Sequence, residues 1–340
     1  MAFELASLRS RLGFSGRAGF WKLLALVFAL LNLKSLPFVW HMRLFKGLFD
    51  GIRSSRIRLA SKVGPAALFQ PMISSSRSGF LECDYNLHKS NSTYFSDFDV
   101  ARVATLVSLC GNGIDITRKE LAKELGTKDR FGIALGGVSC DFRREIKPYE
   151  GFEIWTRLLS WDNKWFYGIS HFVKKGAVKP TGYTLQPWKK GKASNAESSK
   201  IAPGSEGGRQ GPHPAIFATA IAKYVFKKGR RTIPPERVFR AAGLLPPRPA
   251  DQETPPVSIT PDTEASTIDA AAASIGESFT ANNAGDIMAA SLAPKAVDGE
   301  WTWERIEAER KRGLRVAEFY IGDKLNEEFD YEGKPALGHY

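Results

Sequence analysis

The sequence predicts an α+β fold in which one long buried helix is cradled by a curved antiparallel sheet. Three observations carry that expectation. Between Phe95 and Cys110, the residues Phe98, Ala101, Val103, Ala104, Leu106, Val107 and Cys110 are apolar over most of a helical circumference, the mark of a helix enclosed on all sides. Phe152 to Trp161 and Trp165 to Val173 read as strands of one hairpin, turned at Asp162-Asn163. Gly132 to Cys140, with glycines suited to close approach, and Ile216 to Lys227 supply further strands.

Taken in order, the chain starts basic and acid-poor over Met1 to Lys22. An apolar run follows from Leu23 to Leu33, is interrupted by Lys34, and resumes from Leu36 to Trp40. A membrane-crossing helix needs about 20 mostly apolar residues, and Phe20 to Trp40 reaches that length only by including Lys34 and Pro37. A single span, an interfacial anchor and a cleaved targeting peptide compete here; a retained membrane anchor within residues 1–45 is the expectation. The basic residues that follow, Arg43, Lys46, Arg53, Arg56, Arg58 and Lys62, outnumber those before it. By the positive-inside rule the later domain then faces the cytoplasm. The endoplasmic reticulum membrane is the expected location, and the mitochondrion is the alternative.

Residues 46–78 read as a linker ending in Ser74-Ser75-Ser76-Arg77-Ser78. The main domain, 79–245, opens with Gly79 to Cys83 as a short strand, followed by a loop and the buried helix. Ile116 to Leu125 reads as a separate second helix, and the Gly132 strand continues through Asp141 to Ile146. Within this domain 175–214 is rich in Gly, Ser and Lys and reads as a disordered insertion. Pro234-Pro235-Glu236-Arg237 starts a short helix ended by Gly243. Residues 246–300 are a low-complexity linker. In the tail, 301–340, Trp303 to Glu328 is a charged helix with an apolar stripe at Ile306, Leu314, Ala317, Phe319, Tyr320 and Leu325, able to dock on the domain or bind a partner.

The net charge of +12 raises the question of nucleic acid. The basic residues are not interleaved with aromatics in any base-reading motif, and no zinc spacing or zipper is present. Anionic lipid or the phosphates of a cofactor-like substrate suit the charge as well, and no nucleic-acid partner is expected. Cys83, Cys110 and Cys140 are the three cysteines; with no Cys-x-x-Cys they read as reduced core residues, Cys110 above all, and no metal site is expected.

The chemistry gathers in Asp84-Tyr85-Asn86-Leu87-His88-Lys89-Ser90-Asn91-Ser92-Thr93-Tyr94. Here a carboxylate, an imidazole and an amide precede the N-terminus of the buried helix, with Asn91 or Ser92 as its cap and Asp97 and Asp99 near its positive end. That end carries unpaired N–H groups able to stabilise an oxyanion. On residue type alone, Asp84 is equally a turn-capping residue. Arg143, Arg144 and Lys147 form a basic cluster that is either a solvated strand end or a phosphate site. Trp155, Trp161, Trp165, Phe166 and Tyr167 read as sheet packing. No Gly-x-Ser-x-Gly elbow exists, which argues against a serine hydrolase.

This run resembles the signature of the hotdog-fold acyl-CoA thioesterases of the 4-hydroxybenzoyl-CoA type, Asp-x-x-Gly-His-x-Asn-Asn-x-x-Tyr. Asp84, His88, Asn91 and Tyr94 match, while Leu87 replaces the Gly and Ser90 the first Asn. The chain is most similar to the membrane-anchored thioesterase superfamily member 6 group. The shared landmarks are Tyr94 to Arg102, Ser139-Cys140, Arg143-Arg144, Phe152-Glu153, Thr156 to Leu159, Trp161-Asp162, Phe166-Tyr167, Phe172-Val173 and Pro235 to Val238. They span roughly Leu81 to Ala242. The resemblance implies a hotdog fold, hydrolysis of acyl-CoA to a carboxylic acid and CoA without a cofactor, and a homodimer with its sites at the subunit interface. It assigns Asp84 as base or nucleophile, the backbone at Asn91 as oxyanion donor, His88 as a loop-orienting or catalytic group, Tyr94 to packing or to the lining of the substrate pocket, and Arg143 and Arg144 to substrate binding. A hotdog protein that binds acyl-CoA or lipid without turning it over is the alternative. A side chain at Leu87 disfavours the left-handed backbone that a glycine there would adopt.

Overall fold

The computed structural model describes residues 16–126, 129–189, 213–249, 301–318 and 333–339. Its elements are α1 (Gly16–Leu31), α2 (Val39–Ala60), β1 (Met72–Arg77), α3 (Asn91–Leu125), β2 (Phe131–Phe142), β3 (Gly151–Trp161) and β4 (Phe166–Lys174). β5 (Ile216–Lys228), β6 (Arg231–Ile233), α4 (Pro235–Ala241), α5 (Trp303–Glu318) and β7 (Gly338–His339) complete them. The sheet runs β2-β5-β4-β3-β1-β7, with β6 paired to β5. Every pairing is antiparallel except β1 with β7. The helix α3 lies in its concave face, so the expected α+β arrangement of a long helix wrapped by an antiparallel sheet is observed.

Alternation along β3 explains the two faces of this sheet. Phe152, Ile154 and Leu158 point inward to meet Tyr94, Phe98, Ala101 and Leu109 of α3, and a bulge between Leu158 and Ser160 keeps Trp161 on that face. Phe166 stacks on Phe226 at 4.6 Å and on Tyr224 at 5.1 Å, and Phe239 of α4 closes the end edge-on to Trp161. Trp155, Trp161 and Phe166 are therefore packing residues, as their sequence context suggests. In β2 a bulge at Gly136 makes room for the Trp165 ring, which lies 2.2 Å from where a Cβ would stand.

Four expectations change. The two helices over 95–125 are one continuous helix of 35 residues. Gly113, which looks like a break, serves close packing instead: a Cβ there would meet the Val238 carbonyl oxygen at 2.3 Å. Gly79 to Cys83 is no strand; Phe80–Glu82 forms a 3-10 turn. The strand lies one segment earlier, in the serine run taken for a linker, where β1 pairs with β3 from Met72↔Thr156 to Arg77↔Gly151. Only Met72 and Ile73 give it an apolar signal, and backbone pairing on both sides places it. β2 ends at Phe142, so Arg143 to Ile146 leave the sheet.

The outer face of the sheet is covered as well. The first part of the expected insertion, 175–189, puts Val178 over it beside Trp155 and Val173, while Leu185 joins the inner core and its N–H donates to the Leu337 carbonyl at 2.8 Å. Residues 190–212 and the linker stretch 250–300 lie outside the described residues. The tail helix α5 docks on β3. Ser160 Oγ donates to the Arg310 carbonyl at 2.6 Å, Arg310 Nη1 donates to the Trp161 carbonyl at 2.9 Å, and Gly313 lets the backbones meet. The buried stripe is Trp303, Ile306, Gly313 and Ala317, with Leu314 half-buried. Phe319, Tyr320 and Leu325 lie outside the described residues.

The N-terminal segment corrects the single-span expectation. Phe20 to Trp40 is not one helix: α1 ends at Leu31, a 3-10 turn covers Leu33–Ser35, Phe38 takes a left-handed φ of 65°, and α2 then begins. Among the described residues no helix is long and apolar enough to cross a membrane. At 1.5 Å per residue, the 16 residues of α1 rise about 24 Å, short of a hydrocarbon core of about 30 Å. Residues 46–60 are likewise helix and not linker. A small-residue face of α2, Gly47, Gly51, Ser54 and Ser55, lies against α3, where a Cβ on Gly51 would meet Val107 Cβ at 2.8 Å. Arg58, also on this face and 1% exposed, donates to the carbonyls of Val63, Ser108, Leu109 and Ala242. Burial pulls its guanidinium below its ordinary value.

Candidate active site

The candidate loop is a tight excursion between the 3-10 turn and α3. Cys83 and Lys89 pair as an antiparallel bridge, Asp84 N–H donates to the His88 carbonyl at 2.9 Å, and Leu87 N–H donates to the Asp84 carbonyl at 3.0 Å. Asp84 Oδ1 accepts from Asn86 N–H at 2.9 Å, so the turn-capping role is realised. The carboxylate stays about one-third exposed, with His88 Nδ1 4.0 Å from Oδ1. Leu87 adopts φ 60°: the left-handed backbone is kept despite the missing glycine. For a residue with a Cβ that conformation costs roughly 1–2 kcal/mol.

Leu87 is 58% exposed, so little packing is lost on truncation. Leu87→Gly should therefore stabilise the chain by about 0.5–1 kcal/mol, the relieved strain less the extra chain entropy of glycine. A urea midpoint unchanged or lowered in this variant would show that the turn is unstrained.

The cap of α3 is Ser90, and its side chain makes no capping bond. Its Oγ lies 3.1 Å from Ser92 Oγ, and its carbonyl accepts from Thr93 N–H and Thr93 Oγ1. Asn91 and Ser92 are exposed, and among the described residues no acceptor meets either N–H. Two amide donors thus stand open to solvent at the positive end of a 35-residue helix, where an anion is stabilised. Asn91 therefore supplies a free N–H at the first turn and not the cap.

β2 ends early, and the residues that follow Arg143 and Arg144 reach this loop. Lys89 N–H donates to the Ile146 carbonyl at 2.8 Å, and Glu145 Oε2 meets His88 Nε2 at 3.1 Å. Arg143 is paired with Asp141 at 2.6 Å, while Arg144 is exposed and lies over the Phe217 ring at 5.2 Å. His88 thus stands between two carboxylates, Asp84 and Glu145, the latter directly after Arg144 in the chain. Glu145 had no signal in sequence; only the turn after β2 brings it there.

Of its two expected roles, Tyr94 takes packing. It is 3% exposed, edge-on to Phe142 and Phe172 at 5.1 and 5.0 Å, and burial raises its hydroxyl above the ordinary range. It is a core residue beneath the loop. Cys110 is buried too, its thiol pushed up to about 12 by desolvation.

Behind the loop lies a buried ionic cluster that sequence reasoning missed. Asp97, with no exposed side-chain surface, binds Lys34 at 2.7 Å, Lys89 at 2.8 Å and Arg43 at 2.6 Å. Glu82 takes Lys34 at 2.8 Å and Lys89 at 3.3 Å. Burial alone would raise the Asp97 carboxyl, but Lys34, Lys89 and Arg43 outweigh it and hold it down to about 2. Burial also draws the Lys34 ammonium below its usual value, against the pull of Asp97 and Glu82. The carboxylate shared by three cations is the firmer end of that pair. Lys34, the residue that interrupts the apolar run, is therefore an inward-pointing partner of α3.

Comparison with known proteins agrees with this architecture. Residues 78–194 match the family model of the thioesterase-like superfamily. Thioesterase poxG of Penicillium oxalicum is 31% identical over 327 residues, covering 94% of this chain and 90% of that protein. The probable thioesterase atnL of Emericella nidulans is 38% identical over 240 residues, 64% of this chain and 70% of its own length. Protein THEM6 of Xenopus laevis is 29% identical over 154 residues, 44% of this chain and 61% of its own.

Proposed function

We propose that this chain, which belongs to the thioesterase-like superfamily, hydrolyses acyl-CoA thioesters to a carboxylic acid and CoA at the loop that opens α3. The observations that support the reading are a solvent-reaching carboxylate, Asp84, and two open amide donors, Asn91 and Ser92, at the end of the same loop. A thioester carbonyl bound to those donors has its developing oxyanion stabilised. Asp84 then either takes a proton from a water that attacks the carbonyl carbon, or attacks that carbon itself to form an anhydride that water opens; in both routes the carbon–sulfur bond breaks and CoA leaves as its thiolate, protonated by solvent. His88, held at Nε2 by Glu145, keeps the loop oriented. Arg143 and Arg144 suit the phosphates of CoA, since guanidinium groups match phosphate geometry.

The assay is CoA-thiol release across a panel of acyl chain lengths. Turnover of at least one chain length is expected. Acyl-CoA that raises the melting temperature yet stays intact over hours would replace this reading with the non-catalytic one.

Two features of the chain's setting belong to the same proposal. Among the described residues nothing pairs with the outer side of the edge strand β2, where Leu135 and Phe142 are exposed, and such an edge invites a second copy to extend the sheet. The exposed apolar residues of α1, from Phe20 to Leu31, continue onto Phe38, Met42, Phe45 and Phe49 of the next segment, with Lys46, Arg53 and Arg56 also exposed. That pattern suits an anionic membrane surface, with the cytoplasmic face of the endoplasmic reticulum as the proposed site and the mitochondrion as the alternative. In detergent the full chain should scatter as a dimer, and it should co-sediment with vesicles containing anionic phospholipid. A monomer that stays in the supernatant would overturn both points.

A further inference from the structure

The candidate loop leaves the 3-10 turn and returns to α3 over a single foundation, and that foundation is contributed by the N-terminal segment. Asn32 Oδ1 accepts from Leu81 N–H at 2.9 Å, and Lys34 Nζ donates to the Arg77 carbonyl at 3.1 Å. Lys34 also bridges Glu82 and Asp97, the residues on either side of the loop. Lys89, the last loop residue before the cap, joins the same two carboxylates with its side chain fully buried. The Glu82 carbonyl accepts from Ser90 N–H at 2.8 Å and from Thr93 Oγ1 at 3.3 Å, so the same turn fixes the start of α3. Three cations face two carboxylates in this cluster. The remaining positive charge lies at the end of α3 that carries the open amides.

We propose that Lys34 is a positioning residue for the Asp84–Ser90 loop. Through Glu82 and Asp97 it fixes the Asp84 carboxylate relative to the amide donors of Asn91 and Ser92, so the elbow between α1 and α2 is part of the site's support. Lys34 reaches no reacting atom itself; its effect passes through the loop. The inference rests on the thioesterase reading for its kinetic consequence but not for its structural one.

The test compares the full-length wild type with Lys34→Met and Lys34→Arg, using an acyl-CoA that the wild type turns over. Steady-state kinetics are read beside amide hydrogen exchange. Lys34→Met should lower kcat about tenfold with KM within about twofold. Exchange across residues 83–92 should quicken about tenfold, while the middle of α3, around Ala104 to Gly113, keeps its protection. Lys34→Arg should restore most of both. Loop exchange equal to wild type in Lys34→Met overturns the proposal. Equal acceleration in the loop and in mid-α3 also overturns it, because the role is then general stability. If the wild type hydrolyses nothing, the functional reading fails, and loop exchange alone decides the positioning role.

Discussion

Replacing Asp84 by Asn should lower kcat on acyl-CoA by a factor of about 10² to 10⁴, the range that a positioned base contributes, while leaving the fold intact. Asn keeps the shape of the side chain, and its oxygen still accepts from the Asn86 N–H that Asp84 Oδ1 now holds. The loop and the helix start therefore persist, and only the charge is lost. Circular dichroism and the urea midpoint should match the wild type, and KM should change little if the thioester is held by the amides and the arginines. Turnover undiminished in this variant would remove Asp84 from the chemistry and leave it as a turn cap alone.

The second large effect concerns stability. Asp97→Ala removes the carboxylate that binds Lys34, Lys89 and Arg43 and leaves Lys89 buried with Glu82 as its remaining carboxylate. Breaking a buried pair from one side costs about 3–5 kcal/mol, which should appear as a large fall in urea midpoint. The same group sets an acid limit. Its carboxyl is depressed in the folded state to about 2, from an ordinary value of 3.8. Its contribution is thus fully present above about pH 4 and is lost as pH falls from there towards 2. The wild type should lose stability over that window more steeply than Asp97→Ala, and parallel acid profiles would show that the cluster contributes no such linkage.

The buried helix and the hairpin were legible because their signals are local: an apolar circumference from Phe98 to Cys110, and alternating strands around Asp162-Asn163. What escaped the sequence depends on distant partners. The serine run of β1 lacks an apolar stripe, and its backbone pairings with β3 and β7 place it in the sheet. Gly113 mimics a helix break because a helix that accepts another backbone closely needs the same residue as a turn. Lys34 looked like a flaw in a membrane-spanning segment, since nothing near it in sequence announces Asp97, 63 residues away. In the candidate site, Asp84, His88 and Asn91 do fall on one loop and helix start. Tyr94 turned inward because its side chain meets Phe142 and Phe172, contacts that exist only once the sheet has closed. Glu145 became a neighbour of His88 only through the early end of β2.

The docking of α5 on the outer face of the sheet sets an order of events during synthesis. The main strands are complete once Lys228 is made, yet Leu159, Ile169 and Ile221 find their cover in α5, where Ala317 and Val316 pack on them. Trp303, the first residue of that helix, is translated about 75 residues after Lys228. At roughly 5–20 residues per second, a freshly folded sheet waits about 4–15 s on the ribosome with an apolar wall uncovered. Chaperone demand should peak in that interval. Truncating the chain at residue 245, the apparent end of the domain, would make the interval permanent.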